Sequence, residues 1–347
     1  VYVRACGRFP IEFGLNRRDG YFRATRILSA HSTWVGTCFR VPAVVCRSPR
    51  TGTEGMNNYN DALKEIARLD ETSRHYDIAI PGGGTMRWRR FGAGEPLVLI
   101  HGGHGSWLHW ARNIEVLAQH YAVWVPDLPG FGDSNDARGD APMDALLDAV
   151  VAALDQLVGV QVPVRIVGFS FGTLVTMQLA VRRPVHQLAL LGVAGHGGAR
   201  RPFPAMVNWR LVEGVLERRD ALTRNMKDFM LYDPAVADPL AIAVYELSCV
   251  ATRFRSKGIA LTASLRTMLE KLRDVPVLAI WGDQDVTLAD PGAMARQISV
   301  GLPNVHWYGV PNSGHWVQYE SAPEINHALL GWLANGELPR ELVDLTA

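Results

Sequence analysis

Between residues 96 and 195 the chain alternates short unbroken apolar runs with longer stretches of helical period. PLVLIH (96–101), YAVWVPD (121–127), VPVRIVGF (162–169) and HQLALLGVAG (186–195) are the apolar runs. Runs of that length and continuity predict strands buried on both faces. Between them, SWLHWARNIEVLAQ, MDALLDAVVAALDQLV and GTLVTMQLAVRR predict helices, the last one stopped by Pro184. Upstream, NNYNDALKEIARLDET reads as a short amphipathic helix. HYDIAI and TMRWRRF read as two strands around the turn Pro81-Gly82-Gly83-Gly84.

The rhythm breaks from about Gly195 to Arg273, where no buried strand is legible. WRLVEGVLERRDALTRNMKDFM and PLAIAVYELSCVATRF predict helices instead. Alternation resumes with VPVLAIWGD (275–283), a helix near GAMARQIS, the strand NVHWYGV and a last helix EINHALLGWLAN. Alternating strands and helices imply an α/β fold with a mainly parallel sheet and helices on both faces. The interruption implies an inserted helical cap over 195–273, with the sheet domain at 56–194 and 274–347. Ligands in such sheets bind beyond the carboxyl ends of the strands.

Composition changes this picture at one end only. Residues 1–55 hold nine arginines, no lysine and three acidic residues, a net +6, while the whole chain carries +1. Cys6, Cys38 and Cys46 cluster there too, and no helical or strand period is sustained. The segment lacks a basic start followed by an apolar core, so it is a poor secretory signal. It is expected to be a disordered or upstream-translated extension, with the functional protein starting near Met56. Elsewhere the balance is ordinary, with 48% hydrophobic and 20% charged residues. Nothing points to nucleic acid or an anionic membrane. No apolar run reaches the roughly 20 residues that span a bilayer. Four cysteines are too few for a disulfide framework, and no C-x-x-C or H-E-x-x-H pattern suggests a metal. A cytoplasmic protein with no cofactor and a small-molecule substrate is expected; the sequence leaves a homo-oligomer open.

The candidate chemistry sits at strand ends. Gly168-Phe169-Ser170-Phe171-Gly172 has the form G-x-S-x-G between a strand and a helix. A sharp turn there strains the serine backbone and crowds its neighbours, so the flanking positions must be small. The competing reading is a serine that merely N-caps the helix. A hydroxyl is a poor nucleophile without a base, and the base needs an orienting acid. IWGDQDVTL offers Asp283 and Asp285 after one buried strand, and PNSGHWVQYE offers His315 after the next. Asp285 is preferred as the acid, because Asp283 directly follows the glycine and is placed to brace the loop. An oxyanion hole needs two backbone N–H groups. Phe171, after the nucleophile, supplies one. The loop His101-Gly102-Gly103-His104-Gly105 supplies the other, with Gly103 as the donor and His104 next.

LIHGGHGS, VPDLPGFGDS, GFSFG, LAIWGDQD and SGHWVQYE together resemble the α/β-hydrolase superfamily, in that family's order, over about residues 85–335. The resemblance implies the α/β-hydrolase fold, a Ser170–His315–Asp285 triad and a helical cap. Within the superfamily, GHWVQYE and HGGHG are similar to hydrolases that cleave carbon–carbon bonds in ring-fission diketones. Those carry Asn-Ser-Met at the elbow, where this chain has Phe169-Ser170-Phe171. They also carry a cap arginine before an aromatic, where this chain has Val244 before Tyr245. Arg253 and Arg255 lie nearby as substitutes. Ser170 argues against epoxide and haloalkane hydrolases, which use aspartate at that place. Trp107, Phe169, Phe171 and Trp316 suggest an apolar pocket, while Trp110 reads as core. The expected activity is hydrolysis of a small to medium apolar ester through an acyl-enzyme. The alternatives are carbon–carbon hydrolysis of diketone acids and a non-catalytic ligand-binding protein on the same fold.

Overall fold

A computed structural model describes residues 53–339, apart from 140 and 263, together with Leu342. The reading of residues 1–55 therefore lies almost wholly outside the described residues. The helix expected near its end, α1, runs over Thr53–Glu71.

Eight strands form one sheet. They are β1 (Arg74–Ala79), β2 (Thr85–Phe91), β3 (Pro96–Ile100), β4 (Ala122–Pro126), β5 (Val164–Phe169), β6 (Val185–Leu191), β7 (Val277–Gly282) and β8 (Val305–Val310). Their spatial order is β1-β2-β4-β3-β5-β6-β7-β8. β1 pairs antiparallel with β2, and β2 antiparallel with β4; every later pair is parallel. Chain order inverts around β3, which lies between β4 and β5. That inversion opens a crevice at the carboxyl ends of β3 and β5, where LIHGG and GFSFG emerge.

The apolar runs are continuous because both faces of each strand are covered. Val98, Ile100, Ile166, Leu188, Leu190, Val277 and Ala279 face one core cluster, and Leu97, Leu99, Val167, Ala189, Leu191, Leu278 and Ile280 face the other. The two sets alternate along each strand, as a pleat requires. On the first face lie α3 (Pro142–Leu157), α4 (Phe171–Arg182), α8 (Leu265–Glu270) and α9 (Pro291–Ser299). The second face packs the 3-10 turn Trp107–Trp110, α2 (Ile114–Leu117) and α11 (Ala322–Asn335). The single helix expected over SWLHWARNIEVLAQ is thus two short pieces. Ser106 caps the first piece, and the chain turns again before Ile114.

Between β6 and β7 the inserted stretch contains α5 (Val215–Phe229), α6 (Pro239–Ala251), α7 (Ser256–Thr262) and α8. Two details differ from the expectation. The helix foreseen from Trp209 breaks at Gly214 (φ 87°), leaving a 3-10 turn Trp209–Leu211 before α5. And α8 packs Leu265, Met268 and Leu269 into the sheet's own core, so the layer above the sheet ends before residue 273. α1 lies on α6, where Tyr59 donates to Glu246 Oε2 at 2.8 Å and the Arg219 guanidinium sits 3.5 Å over the Tyr59 ring.

The turn PDLPGFGDS is locked from beneath. Asp127 is fully buried and accepts the Trp107 N–H at 2.8 Å, the Asp133 N–H at 3.1 Å and Arg89 Nη1 at 3.1 Å. Leu128 N–H donates to His101 Nε2 at 3.0 Å, joining this turn to the loop after β3. Asp127→Ala would leave the buried Arg89 without that partner and two backbone donors without an acceptor. We expect a loss of about 3–5 kcal/mol in urea unfolding, larger than for the surface change Asp61→Ala.

Candidate active site

Ser170 stands between β5 and α4 with φ 51° and ψ −119°, a conformation costly for any side chain but glycine. Its surroundings enforce that geometry. Its N–H donates to Leu191 O on the neighbouring strand at 2.8 Å, and its carbonyl accepts from Thr173 Oγ1 at 2.7 Å. A Cβ on Gly172 would lie 2.4 Å from His101 O, and one on Gly168 would lie 2.4 Å from Thr176 Oγ1. Both glycines of the G-x-S-x-G pattern are therefore steric requirements of this turn.

His315 follows β8 and reaches back to the serine. Its Nε2 is 2.9 Å from Ser170 Oγ, and its Nδ1 is 2.8 Å from Asp285 Oδ2. Asp285, beyond β7, is fully buried. Burial alone would raise its pKa, but the nearby His315 and hydrogen bonds from His315 and Thr287 outweigh this and hold the carboxyl below its ordinary value. An ionised carboxylate only accepts, so the His315 proton sits on Nδ1. Nε2 is then free to accept the Ser170 hydroxyl proton. An alcohol so placed can be deprotonated as it attacks. The other Asp285 oxygen, Oδ1, accepts both the N–H and the hydroxyl of Thr287 at 2.7 Å. Asp283 faces the other way, with Oδ1 3.4 Å from Ser313 N, and it lies outside this hydrogen-bonded chain.

The loop after β3 closes on the serine. His101 donates from Nδ1 to Gly102 O at 2.8 Å, and burial holds its pKa down at about 4, so the ring is neutral. A Cβ on Gly102 would lie 3.1 Å from Ser170 Cβ, and one on Gly103 would lie 2.5 Å from Ser256 Oγ. Phe171 is the first residue of α4, so its N–H has no intrahelical acceptor. Gly103, Phe171, Ser170 and His315 all line one cavity of about 660 Å³. Phe203, Trp209, Phe229, Met230 and Tyr245 of the inserted stretch supply its apolar walls.

A family model described as the alpha/beta hydrolase family matches residues 97–328. The chain belongs to that family. It is 30% identical over 266 residues, 73% of this chain and 67% of the other, to a dihydrolipoyllysine-residue acetyltransferase component of an acetoin cleaving system from Pseudomonas putida. It is 28% identical, over 77% of this chain and 98% of the other, to a 2-hydroxy-6-oxononadienedioate/2-hydroxy-6-oxononatrienedioate hydrolase from Paraburkholderia phymatum. Among solved structures, naproxen esterase from Bacillus subtilis superposes with a TM-score of 0.63 at 20% identity, covering 81% of this chain and 99% of that one. A meta-cleavage product hydrolase from Pseudomonas fluorescens superposes with a TM-score of 0.59 at 20% identity, covering 76% and 98%. At such identities the structural likeness speaks for the fold alone.

Within this alpha/beta hydrolase, three of the residues expected to touch substrate do not line the cavity. Trp107 is buried beneath Arg89, whose guanidinium lies 4.5 Å over its ring, and it stacks on Phe91. Trp316 is fully buried against Tyr319 and donates to His109 O at 3.2 Å. Phe169 lies under the site, its ring 5.1 Å from His315 and 5.3 Å from His109. All three rings belong to the sheet's second core: Phe169 by the pleat at the end of β5, Trp107 from the turn after Ser106 and Trp316 from the turn after His315. His104 does line the cavity, with φ 52°. Trp110 is core, as expected. Arg253 binds Asp136 at 2.7 Å on another surface, and the exposed Arg255 is not part of the cavity wall.

Two contributors escaped the sequence reading. Thr287 lies two residues after Asp285, a spacing at which a carboxylate commonly accepts a backbone N–H, so a local signal existed. Glu320 had no such signal. It accepts the Gly314 N–H at 2.6 Å and the N–H groups of Tyr232 at 2.9 Å and Asp233 at 2.7 Å. Trp316 N–H also donates to Met230 O at 2.8 Å. The segment carrying His315 is thus pinned to the end of α5.

Three outcomes follow from this geometry. Asp285→Asn should lower any hydrolytic turnover on the order of 10⁴, while Asp283→Asn keeps kcat within a few-fold and loses melting temperature. Because the folded pKa of Asp285 is depressed, its stabilisation is present above about pH 4 and lost below it. Asp285→Asn should flatten that acid limb in denaturation curves. Glu320→Ala should displace His315 and lower kcat about tenfold or more, with Glu320→Gln intermediate; equal kcat values across the three would contradict the pinning role.

Proposed function

We propose that this protein is a serine hydrolase that cleaves small to medium esters through an acyl-enzyme. The observation that carries the reading is the Ser170–His315–Asp285 hydrogen-bonded chain at the base of an apolar-walled cavity. Ser170 Oγ attacks the acyl carbonyl as His315 Nε2 takes its proton. The buried Asp285 carboxylate stabilises the imidazolium and keeps its orientation. Negative charge develops on the carbonyl oxygen, and the N–H groups of Gly103 and Phe171 are the donors assigned to it. His315 then passes the proton to the leaving alkoxide. Water, activated by the same histidine, releases the acid and restores Ser170.

A second reading is hydrolysis of a carbon–carbon bond in a ring-fission diketone acid. The names of several relatives favour it. The same three side chains serve both reactions, and the difference lies in what the leaving group and acid group need. Val244, at the place where such hydrolases carry a cap arginine, is fully buried and apolar. Arg253 is engaged by Asp136 and Ser134. Neither substitute named from the sequence reaches the cavity, so a diketone acid would have to be held there by other cations.

A fluorophosphonate probe should label the peptide containing Ser170, and Ser170→Ala should abolish both labelling and turnover, the latter on the order of 10⁶-fold. Short-chain p-nitrophenyl esters should exceed any ring-fission diketone acid in kcat/KM on one preparation. A tenfold advantage for the diketone acid would favour the second reading. A folded wild type that neither reacts with the probe nor turns over either substrate would instead be a non-catalytic binding protein.

A further inference from the structure

The cavity above Ser170 has an uneven charge. Arg200, Arg210 and Lys257 belong to its wall, and no aspartate or glutamate does. This sets them apart from Arg68, Arg87, Arg89, Arg112, Arg165 and Arg253, each of which holds a carboxylate. Arg210 and Lys257 form no ion pair among the described residues.

Their positions converge. Arg210 lies in the 3-10 turn Trp209–Leu211 with its guanidinium 4.2 Å over the Trp209 ring, and that ring also lines the cavity. Stacking covers a face of the guanidinium and leaves its N–H edge able to meet a planar anion. Lys257 is the second residue of α7 and directly follows Ser256, whose hydroxyl occupies the space beside Gly103. Both charges act on His104, the next residue of the same loop. Burial first, then Arg210 and Lys257, disfavour its protonation. The two cations therefore flank the oxyanion loop from the inserted layer. Phe203, Phe229, Met230 and Tyr245 line the same cavity.

We propose that Arg210 and Lys257 form an anion subsite in this cavity, and that the substrate is an ester bearing a carboxylate next to an apolar body. The proposal rests on the hydrolase reading above and narrows its substrate class. Unpaired cations in a concave, partly apolar site raise the local concentration of anions and hold them by charge-assisted hydrogen bonds. A neutral ester of the same size fills the apolar wall and leaves these donors to water.

The test compares three probes on the full chain: p-nitrophenyl butyrate, the mono-p-nitrophenyl ester of glutaric acid, and 4-carboxyphenyl butyrate. The last two carry the carboxylate on the acyl side and on the leaving-group side respectively. One of them should exceed the neutral ester in kcat/KM by about tenfold, mainly through KM, and rising ionic strength should narrow the gap. Arg210→Gln and Lys257→Gln should each reduce the anionic-to-neutral ratio several-fold, and the double substitution should remove the preference. Arg255→Gln, outside the cavity, should leave the ratio where it is. Binding of the same three esters to the Ser170→Ala protein, by calorimetry, reads the subsite without chemistry. If neither acid binds better than the neutral ester there, the subsite does not exist. If an acid binds better but the wild type hydrolyses nothing, the anion subsite stands and the hydrolase reading fails.

Discussion

The backbone of Ser170 is the constraint around which the site is arranged. A non-glycine residue at φ 51° and ψ −119° costs on the order of 1–3 kcal/mol, so the fold must hold it there. It does so with a strand on one side, a helix on the other and glycines where the neighbours come within 2.4 Å of a Cβ position. The return is directional. The hydroxyl leaves the sheet at the crevice where chain order inverts around β3, and Phe171 begins a helix whose first N–H groups have no partner of their own. A relaxed serine would cap α4 and face its axis instead.

Charge burial is the second constraint. Asp285 sits at zero exposure and stays ionised only because two N–H groups and a hydroxyl meet its oxygens. The same donors fix the tautomer of His315, and hence which nitrogen faces Ser170. His101 and Asp127 position backbone one layer away. A neutral imidazole holds Gly102 O, and a buried carboxylate holds the backbone of Trp107 and Asp133. The loop beside the serine is therefore positioned by groups that never touch the cavity.

The inserted layer is coupled to this base. Glu320 and the Trp316 N–H tie the His315 segment to Met230–Asp233, while the Phe229 ring lies 5.6 Å from His315. A change at the end of α5 is thus felt at the histidine as well as in the wall of the cavity. On the proposed reading, substrate recognition and the placement of the base share one stretch of backbone.

Much of this was legible in the sequence because local rules govern it. Buried parallel strands read as unbroken apolar runs, and glycine spacing at residues 168, 172 and 102–103 reports close backbone approach directly. Ser170, Asp285 and His315 were picked out by where they stand relative to such runs, and the fold brings the three into one hydrogen-bonded chain. The preference for Asp285 over Asp283 also came from local turn chemistry. The wall of the cavity was not legible. Trp107, Phe169 and Trp316 are near the site in sequence, yet the pleat and the turn after Ser106 send their rings into the core. Phe203, Trp209, Arg210, Phe229, Tyr245 and Lys257 come from distant positions on helices whose periodicity says only that one face is buried. Which face meets Ser170, and which cations stay unpaired above it, depends on how the inserted layer packs over β5 and β8. That is set by contacts such as Glu320 with Tyr232 and Tyr59 with Glu246, between residues 88 and 187 positions apart.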